Sequence, residues 1–251
     1  MMTRRGFVRT SAGLIGSAAP VSLAAMWPDT AIARDAVDMT AREGVMRFRV
    51  DRGGSEMGRH VLRFARPSSR QIDVAIDIDL KVTFGPFTLF EYSHRNETTW
   101  SGGRIQRLKT RTNDDGDKYT VDAEAQSEDS LRVRTQEETR TVPGDILPTS
   151  YWQRATVART QLLNTQNGAL AEVAVAPLGA RPQKLPNGKV QADGFEMSGD
   201  VRVKVWYDPD GRWVGMSFDG KGERVTYELI ERAGFIPLSA ASSDTPTNTA
   251  L

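Results

Sequence analysis

The sequence predicts an all-β fold, mainly antiparallel: a strongly curved half-barrel or barrel of about ten strands with a short helical or irregular plug. Three observations predict it. Apolar residues alternate with charged ones through most of residues 45–236. Turn signals separate these runs every eight to fifteen residues. Each run has one apolar and one wet face, the signature of antiparallel rather than parallel sheet. So many strands in one open sheet would expose long edges, so the sheet is expected to curl or close.

In chain order, residues 1–33 read as an address. Thr3-Arg4-Arg5-Gly6-Phe7-Val8-Arg9 sets paired arginines before an apolar residue, and a weakly apolar stretch runs from Thr10 to Met26. Ala31-Ile32-Ala33 then supplies the small-x-small pattern of a signal-peptidase site. These features predict a twin-arginine signal with Arg4, Arg5, Ala31 and Ala33 as its marks, the twin-arginine export machinery as a partner, and a periplasmic location. Pro20 interrupts the stretch, and Gly13, Gly16 and Ser17 dilute it, so no run reaches the ~18 to 20 apolar residues of a transmembrane span. Residues 34–44 read as a flexible segment ahead of a single β domain over 45–236.

The first strand alternates Met46, Phe48 and Val50 with Arg47 and Arg49, and Gly53-Gly54 ends it. Gly58, His60, Leu62 and Phe64 share the inward face of the next. The clearest strand sets Ile72, Val74, Ile76, Ile78, Leu80 and Val82 against Asp73, Asp77, Asp79 and Lys81, a period of two that puts aliphatics on one face and charges on the other. Phe90, Tyr92, His94, Asn96, Thr98 and Trp100 then share a face opposite Glu91, Arg95 and Glu97. A strand from Arg104 to Thr112 meets the turn Asn113-Asp114-Asp115-Gly116, whose Asp-Gly pair suits a hairpin. Tyr119 to Ala125 and Ser130 to Gln136 return. Near the end, Val201 to Tyr207, Val214 to Phe218 and Val225 to Leu229 form a meander through Asp208-Pro209-Asp210-Gly211 and Asp219-Gly220-Lys221-Gly222.

The middle differs. Tyr151 to Arg159 reads as a short helix capped by Ser150. Leu162-Leu163 and Leu170 to Ala176 read as short strands, and Pro177 to Gly194, with three prolines and three glycines, as a long loop. Residues 237–251, rich in Ser, Thr, Ala and Pro, read as a disordered tail.

Composition excludes several chemistries. With no Cys among 251 residues there is no disulfide, thiolate zinc site, iron–sulfur cluster, cysteine nucleophile or lipoprotein anchor. A formal charge of +1 gives no electrostatic case for nucleic acid. Phosphate-binding and nucleophile-elbow motifs are absent, no metal-ligand spacing surrounds the two His, and no cofactor, catalytic residue or metal ligand is assigned. His60 and His94 both fall on inward faces, where hydrogen-bonded interior imidazoles and a catalytic pair are both open readings. The segments Pro148–Trp152 and Thr160–Gln166 mix aromatics, hydroxyls and amides, and serve either as a plug for the open side of the sheet or as a ligand-contacting lid.

The hairpin Tyr92-Ser93-His94-Arg95-Asn96-Glu97-x-x-Trp100, the Asn113–Gly116 turn, Thr149-Ser150-Tyr151-Trp152 and Leu162-Leu163-Asn164-Thr165-Gln166-x-Gly168 together resemble the bacterial exported proteins of domain of unknown function 6134, over roughly residues 45 to 230. Many members of that family have Asn after the Tyr-Trp pair, where this chain has Gln153. The strand pattern is similar to that of another such family, domain of unknown function 3108, and to the curved half-barrels of lipoprotein carriers and other lipid-binding periplasmic proteins. The resemblance implies a β-rich periplasmic protein and no named activity. The expected function is binding of an apolar or amphipathic small molecule or lipid in the concave face. Tyr92, His94, Asn96, Trp100, Tyr151, Trp152, Asn164 and Gln166 are the candidate contacts. The alternatives are a periplasmic enzyme using His94 with Tyr92, Asn96 or His60, and a structural protein of the envelope.

Overall fold

The computed structural model describes residues 42–220 and 222–240. The predicted signal, with Arg4, Arg5, Ala31 and Ala33, lies outside the described residues, as does most of the predicted tail. Eight strands form a meander: β1 Glu43–Arg52, β2 Ser55–Ser68, β3 Gln71–Phe84, β4 Phe87–Ser101, β5 Arg104–Asp114, β6 Asp117–Ala125, β7 Ser130–Arg134 and β8 Thr139–Pro143. Seven more follow: β9 Leu147–Pro148, β10 Gln161–Leu163, β11 Leu170–Leu185, β12 Gly188–Gly199, β13 Val203–Tyr207, β14 Trp213–Gly220 and β15 Glu223–Gly234. All fifteen belong to one sheet, more than the ten or so that the alternation suggested. Neighbours pair antiparallel except β9 with β10. β1 begins at Glu43, inside the segment read as flexible.

The order of strands dictates the curvature. β1 pairs with both β2 and β15, so the first and last strands meet in mid-sheet, and the edges are β8 and β9. Laid flat, fifteen strands about 4.8 Å apart would separate those edges by about 65 Å. Yet only Gly144–Ile146 join them, a reach of at most about 15 Å. The sheet therefore curls until its edges nearly meet, and remains open between β8 and β9.

The local sequence sets the rest. Gly53 and Gly54 take φ of 57° and 87°, and Asp115 and Gly116 take 56° and 108°, so both loops place two positive-φ residues where a tight hairpin requires them. Along β1 to β4 the predicted inward residues face the interior, where Phe48, Leu62, Val74 and Trp100 are fully buried. The convex face carries ion pairs across strands, such as Arg47 with Glu231 at 2.8 Å, Arg49 with Glu228 at 2.8 Å and Asp77 with Arg63 and Arg95.

Three predictions for the second half are corrected. Pro177–Gly194 is not a loop: it belongs to the hairpin of β11 and β12, whose turn is Pro186-Asn187. Beyond Glu172 no strand among the described residues pairs with the other side of β11, so Pro177 and Pro182 lie on an edge, where a missing N–H removes no ladder bond. This hairpin folds over the convex face. The Arg181 guanidinium lies 3.9 Å from the Trp206 ring, and Lys184 Nζ lies 3.7 Å from Glu228. Gly194 leaves room for the Trp206 indole, since a Cβ there would lie 2.7 Å from Nε1. Second, the helix predicted over Tyr151–Arg159 shrinks to a 3-10 turn, Arg154–Ala158, and Ser150 does not cap it; Gln153 precedes it with no side-chain cap. Third, residues 237–240 of the predicted tail pack onto the domain. Pro237 and Ala240 are buried, and the Ala240 N–H donates to Gln153 Oε1 at 3.2 Å.

Residues 144–169 enter the concave side. Trp152 packs edge-on against Phe64 and Trp100, with ring centroids 5.4 Å and 5.9 Å away. Thr110 Oγ1 donates to the Thr165 carbonyl at 2.8 Å, and Gly168, at φ 78°, packs against Val121 and lies so close to Thr135 that a Cβ would overlap its methyl group. This segment therefore ties the β9–β10 edge to β5 and β6 from within. It plugs one end of the curl and leaves a cavity at the other.

Candidate functional site

The cavity holds about 630 Å³, within the range of about 300–1,000 Å³ usual for small-molecule sites. Its walls follow from strand register. His60, Ile78, His94 and Thr112 stand opposite one another on β2 to β5, forming one row across the sheet. Leu80, Tyr92 and Asp114 form the next row toward the β3–β4 turn, and Ile76, Asn96 and Thr110 the next row inward. Because every second residue faces the interior, β3 contributes an aliphatic stripe and β4 with β5 a polar one. Met216, Phe218 and Tyr227 close the opposite wall from β14 and β15. At the mouth, Leu89 lines the cavity and is 60% exposed. It sits at a register shift between β3 and β4, where the extra residue breaks the alternation and lets an outward position turn toward the opening.

The polar stripe is satisfied by the plug. Tyr92 Oη donates to Gln166 Oε1 at 3.3 Å, and Gln166 Nε2 donates to Asp114 Oδ2 at 3.1 Å. Thr98 Oγ1 donates to Asn96 Oδ1 at 2.7 Å. His94 Nδ1 lies 2.8 Å from Thr112 Oγ1, whose hydroxyl donates to the Gln166 carbonyl at 3.4 Å. That direction assigns the imidazole proton to Nδ1 and leaves Nε2 as an acceptor. Burial, and then the nearby Arg95, hold the His94 pKa down at about 4.

His60 differs. It is buried among the rings of Phe48, Trp213 and Tyr227, and neither ring nitrogen has a hydrogen-bond partner among the described residues. Burial, and then His94, push its pKa down to about 3, so it is neutral. Burial likewise raises the phenols of Tyr92, Tyr151 and Tyr227 above their ordinary range. The charged residues of the wall, Arg52, Asp114 and Arg202, sit at or beyond strand ends by the mouth.

Six of the eight candidate contacts line the cavity: Tyr92, His94, Asn96, Tyr151, Asn164 and Gln166. Trp100 and Trp152 do not; they stack in the packed core at the plugged end. The φ of 58° at Tyr151 turns the chain so that Tyr151 faces the cavity while the adjacent Trp152 faces the core. His60, read as either a hydrogen-bonded interior imidazole or one of a catalytic pair, lines the wall. Tyr227 and Met216 were missed as site residues: alternation placed them inward, but only the pairing of β1 with β15 brings Tyr227 beside His60, with Met216 next to it on β14. Among the described residues no three His, Asp or Glu side chains converge to hold a metal ion, and no helix is long and apolar enough to cross a membrane.

A family model described as Domain of unknown function (DUF6134) matches residues 48–230. No curated protein matches the chain. Among solved structures, a β-barrel-like protein of Domain of Unknown Function DUF1849 from Brucella abortus is similar at 14% identity with a TM-score of 0.54, covering 77% of this chain and 97% of its own. At that identity the likeness concerns fold alone.

Proposed function

Because the chain belongs to the family described as Domain of unknown function (DUF6134), whose name assigns no activity, we propose a function from the site itself: an exported periplasmic protein that binds an apolar or amphipathic small molecule or lipid in its concave face. The observation that carries the proposal is the cavity of about 630 Å³, open at one end, with an aliphatic stripe from Ile76 to Val82 facing polar groups of β4. Apolar walls with a few placed polar groups are what small-molecule sites share. A protein that used this face only as scaffold would gain stability by filling it, since empty apolar volume forfeits packing. Export and location rest on Arg4-Arg5 and Ala31-Ile32-Ala33.

The enzyme reading finds less support. A general base works best with a pKa near the operating pH, and burial holds His60 and His94 near 3 and 4, with no carboxylate among the described residues raising either. Native mass spectrometry of the full chain purified from its own periplasm tests the proposal. A retained small molecule at about one per chain supports it. A ligand-free mass, together with no binding of the apolar fluorophore N-phenylnaphthylamine, overturns it.

A further inference from the structure

From the polar groups at the inner end of the cavity, and resting on the binding function proposed above, we infer that the ligand is an uncharged amphiphile whose buried end carries a hydroxyl or carbonyl group. It is not a carboxylate, phosphate or amine lipid bound head-inward. The inference starts from what the inner wall offers. His60, His94, Asn96, Tyr151 and Tyr227 supply neutral donors and acceptors there, and the charged wall residues Arg52, Asp114 and Arg202 stay at the mouth, Asp114 already holding Gln166. An ion brought to the inner end would lose its water and find no opposite charge, which a buried charge requires.

The second observation is the orphan imidazole. His60 is 4% exposed, lines this cavity, and has both ring nitrogens without a hydrogen-bond partner among the described residues. A neutral imidazole carries one donor and one acceptor. Buried polar groups are ordinarily paired; both nitrogens are closed off from the cavity as the wall stands, and a ring with no partner to hold it is free to turn one of them toward a bound molecule. A hydroxyl, itself donor and acceptor, matches that ring; a quinone-type carbonyl matches its N–H and the nearby phenols. The same burial that keeps His60 neutral would force a carboxylate or amine to give up its charge on entry, a cost that an alcohol or ketone does not bear. The aliphatic stripe of β3 and the exposed Leu89 at the mouth then take the chain of the amphiphile.

The test uses the full chain loaded with N-phenylnaphthylamine and three competitors of one chain length: dodecanol, dodecanoate and dodecyltrimethylammonium. Dodecanol should displace the fluorophore at concentrations about tenfold or more below either ion. His60→Phe, which keeps an aromatic ring in place, should abolish that preference, read as the ratio of the three displacement midpoints on the fluorophore the variant binds. If His60→Phe fails to fold, Tyr227→Phe removes only a phenol from the same wall and should reduce the preference. Fluorophore bound but displaced equally well by an ion overturns the inference and leaves the binding function standing. A preference unchanged in both folded variants overturns the role of this wall. No fluorophore bound by the parent chain, together with a ligand-free native mass, overturns the binding function itself.

Discussion

Trp152→Ala tests whether residues 144–169 are part of the core or merely lie in the curl. Trp152 is 3% exposed and edge-on to both Phe64 and Trp100. Truncating a buried Trp costs about 3–5 kcal/mol, from lost transfer free energy and the cavity left behind. Collapse is restricted here, because Phe64 and Trp100 are held by their own strands, so the cost belongs at the upper end of that range. For a domain of this size each kcal/mol lowers the melting temperature by about 2–4 °C, so the variant should melt about 8–20 °C below the parent by circular dichroism. Leu178→Ala, on an exposed position of the β11–β12 hairpin, should shift it by no more than the ~0.5 kcal/mol of a surface change. Should Trp152→Ala melt within about 2 °C of the parent, the segment is not packed where described, and the account of how the curled sheet is closed fails with it.

The remaining predictions concern register, pH and export. Ile76→Asp buries an unpaired carboxylate at a position 4% exposed and should cost several kcal/mol, whereas Asp77→Ser removes only solvent-facing ion pairs with Arg63 and Arg95, worth about 0–1 kcal/mol; equal urea midpoints for the two would mean that the faces of β3 are assigned backwards. His94→Gln should retain fluorophore binding, because it keeps hydrogen bonding and removes only protonation. It should also flatten the pH dependence of stability: with a folded pKa of about 4 against ~6.5 unfolded, the unfolded chain takes up the proton first, so stability is intact above about pH 6.5 and lost as pH falls toward 4. The parent should therefore lose up to about 2 kcal/mol more than His94→Gln between about pH 7 and pH 5, and parallel curves would argue against a buried neutral imidazole. Arg4→Lys with Arg5→Lys keeps the charge and breaks only the motif read by the export machinery, so the double variant should accumulate in the cytoplasm; normal periplasmic recovery in a cell fractionation would refute the twin-arginine signal.

How much of this was legible follows from what alternation can carry. A period of two fixes which face a residue takes, and that is a local property, so Tyr92, His94, Asn96 and Trp100 were all read as inward, as they are. It cannot fix how deep along the curl a residue sits. Tyr92 and Trp100 share a face but stand about 27 Å apart along β4, at ~3.4 Å per residue. One end of that strand lines a cavity and the other is filled by Trp152, so Trp100 left the candidate site although its face was right. Strand partners are equally invisible: β1 meets β15, nearly the whole domain away in sequence, and only that pairing brings Tyr227 beside His60. The prolines of β11 misled for a related reason. Pro in a strand interior argues against a strand unless the strand is an edge, and whether it is an edge depends on which neighbour stops short, here β10, whose Gln161 end lies opposite Glu172. His60 joins these cases. Its sequence context, between Gly58 and Leu62, offers no sign of chemistry, and its lack of partners exists only once Phe48, Trp213 and Tyr227 have closed around it. A polar residue on an inward face becomes informative when the fold leaves it unsatisfied, because the pairing that the chain does not provide must then come from water or a ligand.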